Sequence, residues 1–282
     1  MNCFMYPGQP LSLATPLVED EDFTGIARMT EERTSLDLAT LAWTKNAHSE
    51  NVKLQVYGAA MSLYRNRRLA REGLRPDIIA EHSMGIYAAL AACGSIAEED
   101  ALELVYRIGV CFSRMGEQEA YALGCVIGLT LEPLSAIAAN NGAYLANLNT
   151  SRHFLLSGAS GGIDGAMAEA LAAGAFSARA FPCDAPLHTP VMGEVSAPLT
   201  EICVAIRYRE PTVPLLDHIT QKPLCATEIP TFLVRELMLP VYWERTYLAL
   251  KASGVGKFIE VGSGDSLRKY NRWIDSENRS GS

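Results

Sequence analysis

Apolar and polar positions alternate along this chain in blocks that predict an α/β fold. Met1 to Tyr6 is a short apolar run, read as a buried first strand, and Pro7-Gly8-Gln9-Pro10 breaks it. Asn51 to Glu72 carries a helical stripe of Leu54, Val56, Tyr57, Ala60, Met61 and Tyr64, with Arg65, Arg67, Arg68 and Arg71 loading its C-terminal end, where cations suit the helix dipole. Gly73 ends that helix. Ile78-Ile79-Ala80-Glu81 is a second apolar run, and an Ala-rich helix follows the turn at His82-Ser83-Met84-Gly85. Leu11 to Ser49 is mixed and acidic, with weak helical stretches.

After a helix running from Ala97 to about Met115, the pattern changes. Tyr121–Leu129 reads as a strand and Glu132–Asn140 as a helix. Tyr144–Asn149 and His153–Gly158 read as a hairpin, Gly162–Ala173 as a helix and Ala178–Cys183 as a last strand. Strand-helix-strand-strand-helix-strand is the ferredoxin-like order. The expected architecture is thus a large α/β subdomain with a parallel sheet, like that of an α/β-hydrolase, formed by residues 1–119 and 185–275. A ferredoxin-like α+β subdomain is inserted at 120–184. Beyond it, a helix to about Ile206, a short strand at Pro211–Leu216, helices at Ile229–Leu239 and Trp243–Ala252, a buried strand at Lys257–Val261 and a final helix to about Trp273 are expected. A polar, disordered tail is expected at 276–282.

The 282 residues are 49% hydrophobic and 20% charged, as in a globular protein, with a net charge of −8. No basic cluster resembles a nucleic-acid face; Arg65-Asn66-Arg67-Arg68 reads as a solvated helix face. Seven scattered cysteines without a CxxC read as reduced core thiols, which points to the cytoplasm; Cys111 and Cys125 are the two with any prospect of reactivity. Five histidines show no metal-ligand spacing, so no metal is expected. No secretory leader or membrane-spanning run is seen, and a monomer is expected.

The chemistry concentrates at residues 81–85. Strand, sharp turn and helix with one serine at the turn come close to the G-x-S-x-G nucleophile elbow. Such a turn lifts the Ser83 hydroxyl clear of the sheet, and the Met84 amide at the start of the helix points where an oxyanion would form. Glu81 departs from the pattern, which asks for glycine there. A glutamate needs more room or must point away.

Taken together, the motifs resemble the malonyl-CoA:acyl carrier protein transacylases and the acyltransferase domains of polyketide synthases. Phe4-Met5-Tyr6-Pro7-Gly8-Gln9 looks like that family's F-P-G-Q-G-x-Q, and His82-Ser83-Met84-Gly85 like its G-H-S-x-G-E elbow. Asn147-Leu148-Asn149 looks like its N-x-N, Leu187-His188-Thr189-Pro190-Val191-Met192 like its H-S-x-x-M, and Glu260-Val261-Gly262-Ser263-Gly264 like its E-V-G-P-G. The resemblance implies Ser83 as nucleophile, His188 as base, and the amides of Gln9 and Met84 as oxyanion donors. No cofactor is implied; acyl-CoA is the donor and an acyl carrier protein the acceptor. Glu236, four residues before Pro240, falls where a carbonyl orients the histidine. Its backbone carbonyl is the first candidate and its carboxylate the second, against the plain alternative of a solvated helix residue. His82 reads as a local hydrogen-bonding residue.

The substrate pocket departs from the family. Its malonyl-handling members carry an arginine immediately before a glycine on the helix after the elbow. Here the run is Arg107-Ile108-Gly109, with the arginine one residue, about 100° of helix, early. Ile86 replaces the elbow's closing glutamate, and Leu187 precedes the histidine. With Arg107, Asn147, Asn149 and Leu187 as the substrate-contact candidates, the pocket leans apolar. Three readings stay open: malonyl transfer to a carrier protein, transfer or hydrolysis of an uncharged acyl thioester, and a non-catalytic module that binds the carrier.

Overall fold

The computed structural model describes residues 1–13 and 20–280. Strand β1 (Asn2–Tyr6) is buried over its last four residues, as its apolar run requires. Helix α1 (Glu21–Thr34) follows, capped by Asp20, whose carboxylate accepts from the Phe23 amide at 2.8 Å. The stretch expected to be only weakly helical therefore holds a capped helix; residues 14–19 of it lie outside the described residues. A two-residue hairpin, β2 (Leu36–Asp37) and β3 (Ala42–Trp43), leads to helix α2 (Glu50–Arg71), strand β4 (Ile78–Glu81), and helices α3 (Gly85–Ala92) and α4 (Glu98–Gly116).

The inserted module is β5 (Tyr121–Ile127), α5 (Leu131–Asn140), β6 (Tyr144–Thr150), β7 (His153–Ala159), α6 (Ser160–Ala172) and β8 (Ser177–Cys183). The chain then returns through a 3₁₀ turn at Pro190–Val195 to α7 (Ser196–Val204) and β9 (Leu215–Leu216). After these come α8 (Ile229–Arg235), a 3₁₀ turn at Glu236–Met238, α9 (Trp243–Ala252), β10 (Lys257–Glu260) and α10 (Ser266–Ser280). The last helix runs past residue 275, so the segment expected as a disordered tail is helical as far as Ser280. Residues 281 and 282 lie outside the described residues.

Two sheets organise the molecule. The first is parallel, in the order β10-β1-β4-β9. Its central strand β1 is entirely apolar where it is covered on both faces, which a parallel sheet between helical layers demands. The second is antiparallel, in the order β6-β7-β5-β8, the ferredoxin-like arrangement of four strands, with α5 and α6 closing a separate small core around Val126, Leu134, Phe154 and Ile163.

A register shift joins the two parts. Strand β6 breaks its pairing between Leu145 and Asn147 and again between Leu148 and Thr150. At the break, Val241, just ahead of α9, bonds in: its amide reaches the Ala146 carbonyl at 2.8 Å, and the Leu148 amide reaches the Val241 carbonyl at 2.8 Å. A bulge re-aims side chains. Here Asn147 and Asn149 are turned into the buried space beside the elbow.

The basic end of α2 is not an open cationic face. Arg67 pairs with Glu98, Arg68 with Asp20 at 2.6 Å and Arg71 with Asp22 at 2.7 Å. Among the described residues, no helix is long and apolar enough to cross a membrane.

The elbow depends on Gly85. A Cβ there would lie 2.2 Å from the Tyr6 carbonyl oxygen, a backbone atom of β1 that has no room to yield. Gly85→Ala is expected to destabilise the protein by about 3 kcal/mol, read as a lower midpoint in urea with an unchanged m-value.

Candidate active site

Ser83 and His188 are 105 positions apart in sequence, and the fold brings them together: Ser83 Oγ lies 2.7 Å from His188 Nε2. Both residues hold left-handed backbone conformations, Ser83 at φ 55° and His188 at φ 61°. A side chain with a Cβ is strained there, by about 1–3 kcal/mol per residue. The surrounding hydrogen bonds hold the serine turn in place. The His82 amide bonds the Tyr6 carbonyl at 3.0 Å, Gly85 N reaches His82 O at 3.1 Å and Ile86 N reaches Ser83 O at 3.0 Å.

The proton positions on His188 follow from its partners. Nδ1 lies 2.9 Å from the Glu236 carbonyl and 3.2 Å from the Leu239 carbonyl. Carbonyls only accept, so Nδ1 carries the hydrogen. Nε2 then has the free lone pair and faces the serine hydroxyl. This is the arrangement of a general base and its nucleophile, with backbone carbonyls as the orienting group. His188 is 3% exposed, and burial holds its pKa down at about 3, with the neighbouring His218 adding to the depression.

The turn carrying Gln9 is tied to the loop that delivers His188. Gln9 Nε2 donates to Asn51 Oδ1 at 3.2 Å, and Asn51 Nδ2 donates to Asp184 Oδ1 at 3.0 Å. Ser49, the N-cap of α2, also bonds the Asp184 carboxylate. Asp184 and Asn51 were not marked by any motif; only the fold shows that they brace two loops.

His82 is a hydrogen-bonding residue, as expected. Its Nε2 lies 2.9 Å from Asn149 Oδ1 and 3.4 Å from Asn147 Nδ2. The ring also packs under Gly8, where a Cβ would come within 3.0 Å of Nδ1. Asn147 and Asn149 are 4% and 0% exposed. They meet the ring beside the nucleophile, and their bonded atoms are turned to it. Leu187 is buried beside His188.

Two candidates sit differently from the simplest expectation. Glu236 is 1% exposed, which removes the solvated-helix alternative. Its carbonyl holds His188, and its carboxyl oxygen Oε2 lies 3.6 Å from His188 Nδ1. Arg107, in contrast, points outward. Its side chain is 41% exposed and pairs with Glu103 one turn earlier at 3.4 Å, while Ile108 takes the inward position at 1% exposure. The one-residue offset thus has the rotational consequence that helix geometry dictates.

Glu81, the residue at the elbow's glycine position, does not point away. It is fully buried and meets His218, whose Nδ1 lies 2.7 Å and whose amide nitrogen lies 3.2 Å from Glu81 Oε1. The pairing of Ala80 with Leu216 in the parallel sheet sets this meeting, because the strand ends continue side by side. His218 carries no sequence motif. One atom each from His188, His218 and Glu236 also lie within 4.8 Å of one another, a spacing suited to a cation. Both His188 nitrogens are committed, however, one as a donor to carbonyls and the other to Ser83, so the donor chemistry does not fit a metal.

Cys111 and Cys125 are packing thiols. Burial raises both pKa values, that of Cys125 to about 11, so little thiolate forms.

Burial also holds His82 near pKa 4. Between about pH 6.5 and 4, the unfolded chain binds a proton at this residue that the folded chain refuses. The stabilisation is therefore complete above 6.5 and is lost as pH falls through that window. In His82→Gln, which keeps a polar partner for Asn149 without the titration, the fall in Tm from pH 7 to 4.5 should be shallower than in the parent. A melting series across that range measures it.

Comparison with known proteins follows the same lines. The model of the acyl transferase domain family matches residues 24–267. The malonyl CoA-acyl carrier protein transacylase of Bacillus subtilis is 29% identical over 217 residues, covering 73% of this chain and 68% of that protein. The Escherichia coli K12 protein of the same name is 28% identical over 284 residues, covering 94% and 89%. Polyketide biosynthesis protein ThaF of Burkholderia thailandensis is 27% identical over 282 residues, covering 95% of this chain but 24% of that longer protein. The solved malonyl CoA-acyl carrier protein transacylase of Coxiella burnetii superposes with a TM-score of 0.86 at 25% identity, over 98% of this chain and 91% of that one. A paired serine and histidine on this two-sheet scaffold, with a family match over most of the sequence, place the chain in the acyl transferase domain family, and it is an acyltransferase.

Proposed function

We propose that this protein moves an acyl group from acyl-CoA to the phosphopantetheine thiol of an acyl carrier protein, through an ester on Ser83. The observation that carries the reading is the 2.7 Å contact between Ser83 Oγ and an unprotonated His188 Nε2 whose other nitrogen is held by carbonyls. Ser83 Oγ attacks the thioester carbon as its proton passes to Nε2. The C–S bond breaks, and the CoA sulfur leaves with that proton. The carrier thiol then repeats the sequence in reverse. The amides of Gln9 and Met84 are the proposed oxyanion donors, each worth about 100- to 1000-fold in rate. Malonyl is the acyl group in the names of the curated relatives from Bacillus subtilis and Escherichia coli.

A second reading keeps the serine ester but takes an uncharged acyl chain. The outward Arg107 and inward Ile108 favour it, since a malonyl carboxylate is best gripped by an inward guanidinium. In this reading water, rather than a carrier thiol, can also finish the cycle, giving a hydrolase that clears stalled carriers.

Intact-mass measurement separates the readings. With malonyl-CoA and with acetyl-, butyryl- or longer acyl-CoA, a mass gain abolished in Ser83→Ala is expected for the accepted donor. No gain with any thioester would overturn the enzyme reading and leave a carrier-binding module. Adding an acyl carrier protein shows whether the group is passed on or lost to water. Arg107→Ala is expected to leave malonyl loading within about 2-fold of the parent, because its guanidinium is engaged with Glu103; a selective loss of malonyl loading would show that Arg107 reaches the substrate.

A further inference from the structure

Behind His188 lies a second set of ionisable groups that the transfer chemistry above does not use. Glu236 Oε2 is 3.6 Å from His188 Nδ1 and 4.0 Å from His218 Nε2. His218 Nδ1 is 2.7 Å from Glu81 Oε1. Exposure is 1% at Glu236 and 0% at His218 and Glu81. His218 Nε2, both carboxyl oxygens of Glu236 and Glu81 Oε2 have no hydrogen-bond partner. Several unpaired polar atoms buried against one another are costly unless protons are shared between them. The line therefore runs Ser83, His188, Glu236, His218, Glu81, with an imidazole between the two carboxyls.

We propose that Glu236 is a positioning residue that hands its carboxyl proton to His218 as His188 becomes charged, with Glu81 holding the far end. The proposal rests on the acyl-transfer reading of Ser83 and His188. In the resting site two protons serve the three groups. One is on His218 Nδ1, given to the Glu81 carboxylate; the other is on the Glu236 carboxyl, facing the bare Nε2 of His218. When Ser83 gives its proton to His188 Nε2, a rotation of the Glu236 carboxyl shortens its 4.0 Å gap and its proton crosses to His218 Nε2. Glu236, now a carboxylate, faces the imidazolium of His188, and the imidazolium of His218 lies between two carboxylates. When His188 gives its proton to the leaving sulfur, the Glu236 proton returns. No proton is gained or lost.

The physical need is plain. Burial disfavours an imidazolium at His188, and the carbonyls of Glu236 and Leu239 offer it only dipoles. A carboxylate formed 3.6 Å away at the moment of need supplies the charge, while Glu236 stays neutral beside His188 in the resting site. Burial also keeps Glu236 on the protonated side and His218 on the neutral side; it pushes Glu81 in the same direction as Glu236, and the hydrogen bonds that Glu81 Oε1 accepts from the His218 amide and Nδ1 oppose that push and hold it ionised. The other ionisable groups facing the cluster are Tyr87 on α3, Cys203 on α7, Asp217 beside His218, and His82. Tyr87 and Cys203 are raised by burial and stay neutral, and the Asp217 carboxylate accepts from Ile219 and Thr220 in its own turn.

The test is a proton inventory of Ser83 acylation in mixtures of light and heavy water, with acylation followed by intact mass. The wild type should give a curved inventory, the mark of two protons in flight, and a linear one would overturn the relay without any variant. Glu236→Gln keeps the carbonyl and the shape but has no proton to hand over. It should acylate about 10-fold more slowly at unchanged KM, with a linear inventory. His218→Asn, which keeps a donor towards Glu81, should do the same, and the double variant should be no slower than either single one. An unchanged rate and a curved inventory in Glu236→Gln, or additive losses in the double variant, would overturn the proposal. If Glu236→Gln fails to melt cooperatively, the wild-type inventory and His218→Asn decide. A wild type that accepts no thioester would instead overturn the acyl-transfer reading itself.

Discussion

One hydrogen on His188 Nδ1 holds this site in its working form, because two backbone carbonyls, from Glu236 and Leu239, leave it no other place to be. With that hydrogen fixed, Nε2 must present a lone pair, and the only direction left for the lone pair is towards Ser83. Backbone carbonyls cannot ionise, so the orientation holds at any pH at which the protein is folded. The fold must then deliver three separate stretches of chain to one spot with tolerances of a few tenths of an ångström. Much of its architecture can be understood as meeting that demand.

Delivery relies on strain absorbed elsewhere. Both Ser83 and His188 sit at positive φ, where their own side chains are unfavourable. Packing around each makes up the cost. Behind Ser83, β1 presses directly on Gly85, and the turn is stitched to Tyr6. Ahead of His188, Asp184 is gripped by Ser49 and Asn51 at the start of α2. The small sheet contributes by a break in its own regularity: the displaced register of β6 turns Asn147 and Asn149 towards His82.

A buried glutamate at an elbow position that asks for glycine would ordinarily be a defect. Here it has a partner from another strand end, and that partner faces a second buried glutamate next to the base. The three residues make chemical sense only together. Removing any one leaves another buried polar group without a counterpart, which is why their joint presence is informative although no single one of them is.

What the sequence determined by itself was the order and type of the elements, the ferredoxin-like insert and the serine and histidine. These are local signals: apolar runs, glycine breaks and short motifs carry their meaning within a few residues. The rotation of Arg107 away from Ile108 was also readable, since helix geometry is local too. The first helix, α1, was underestimated because its capping by Asp20 and its packing on α2 and α4 outweigh a weak intrinsic pattern. The helical end of the chain was missed because a polar sequence gives no hint of the Trp243–Asn271 and Tyr247–Asp275 bonds that pin α10 to α9. Only the tertiary structure could decide that Glu236 is buried, that Glu81 turns inward and that His218, unmarked by any motif, joins them. Those facts come from strands and turns that are distant in sequence and adjacent in space, and nothing local encodes adjacency of that kind.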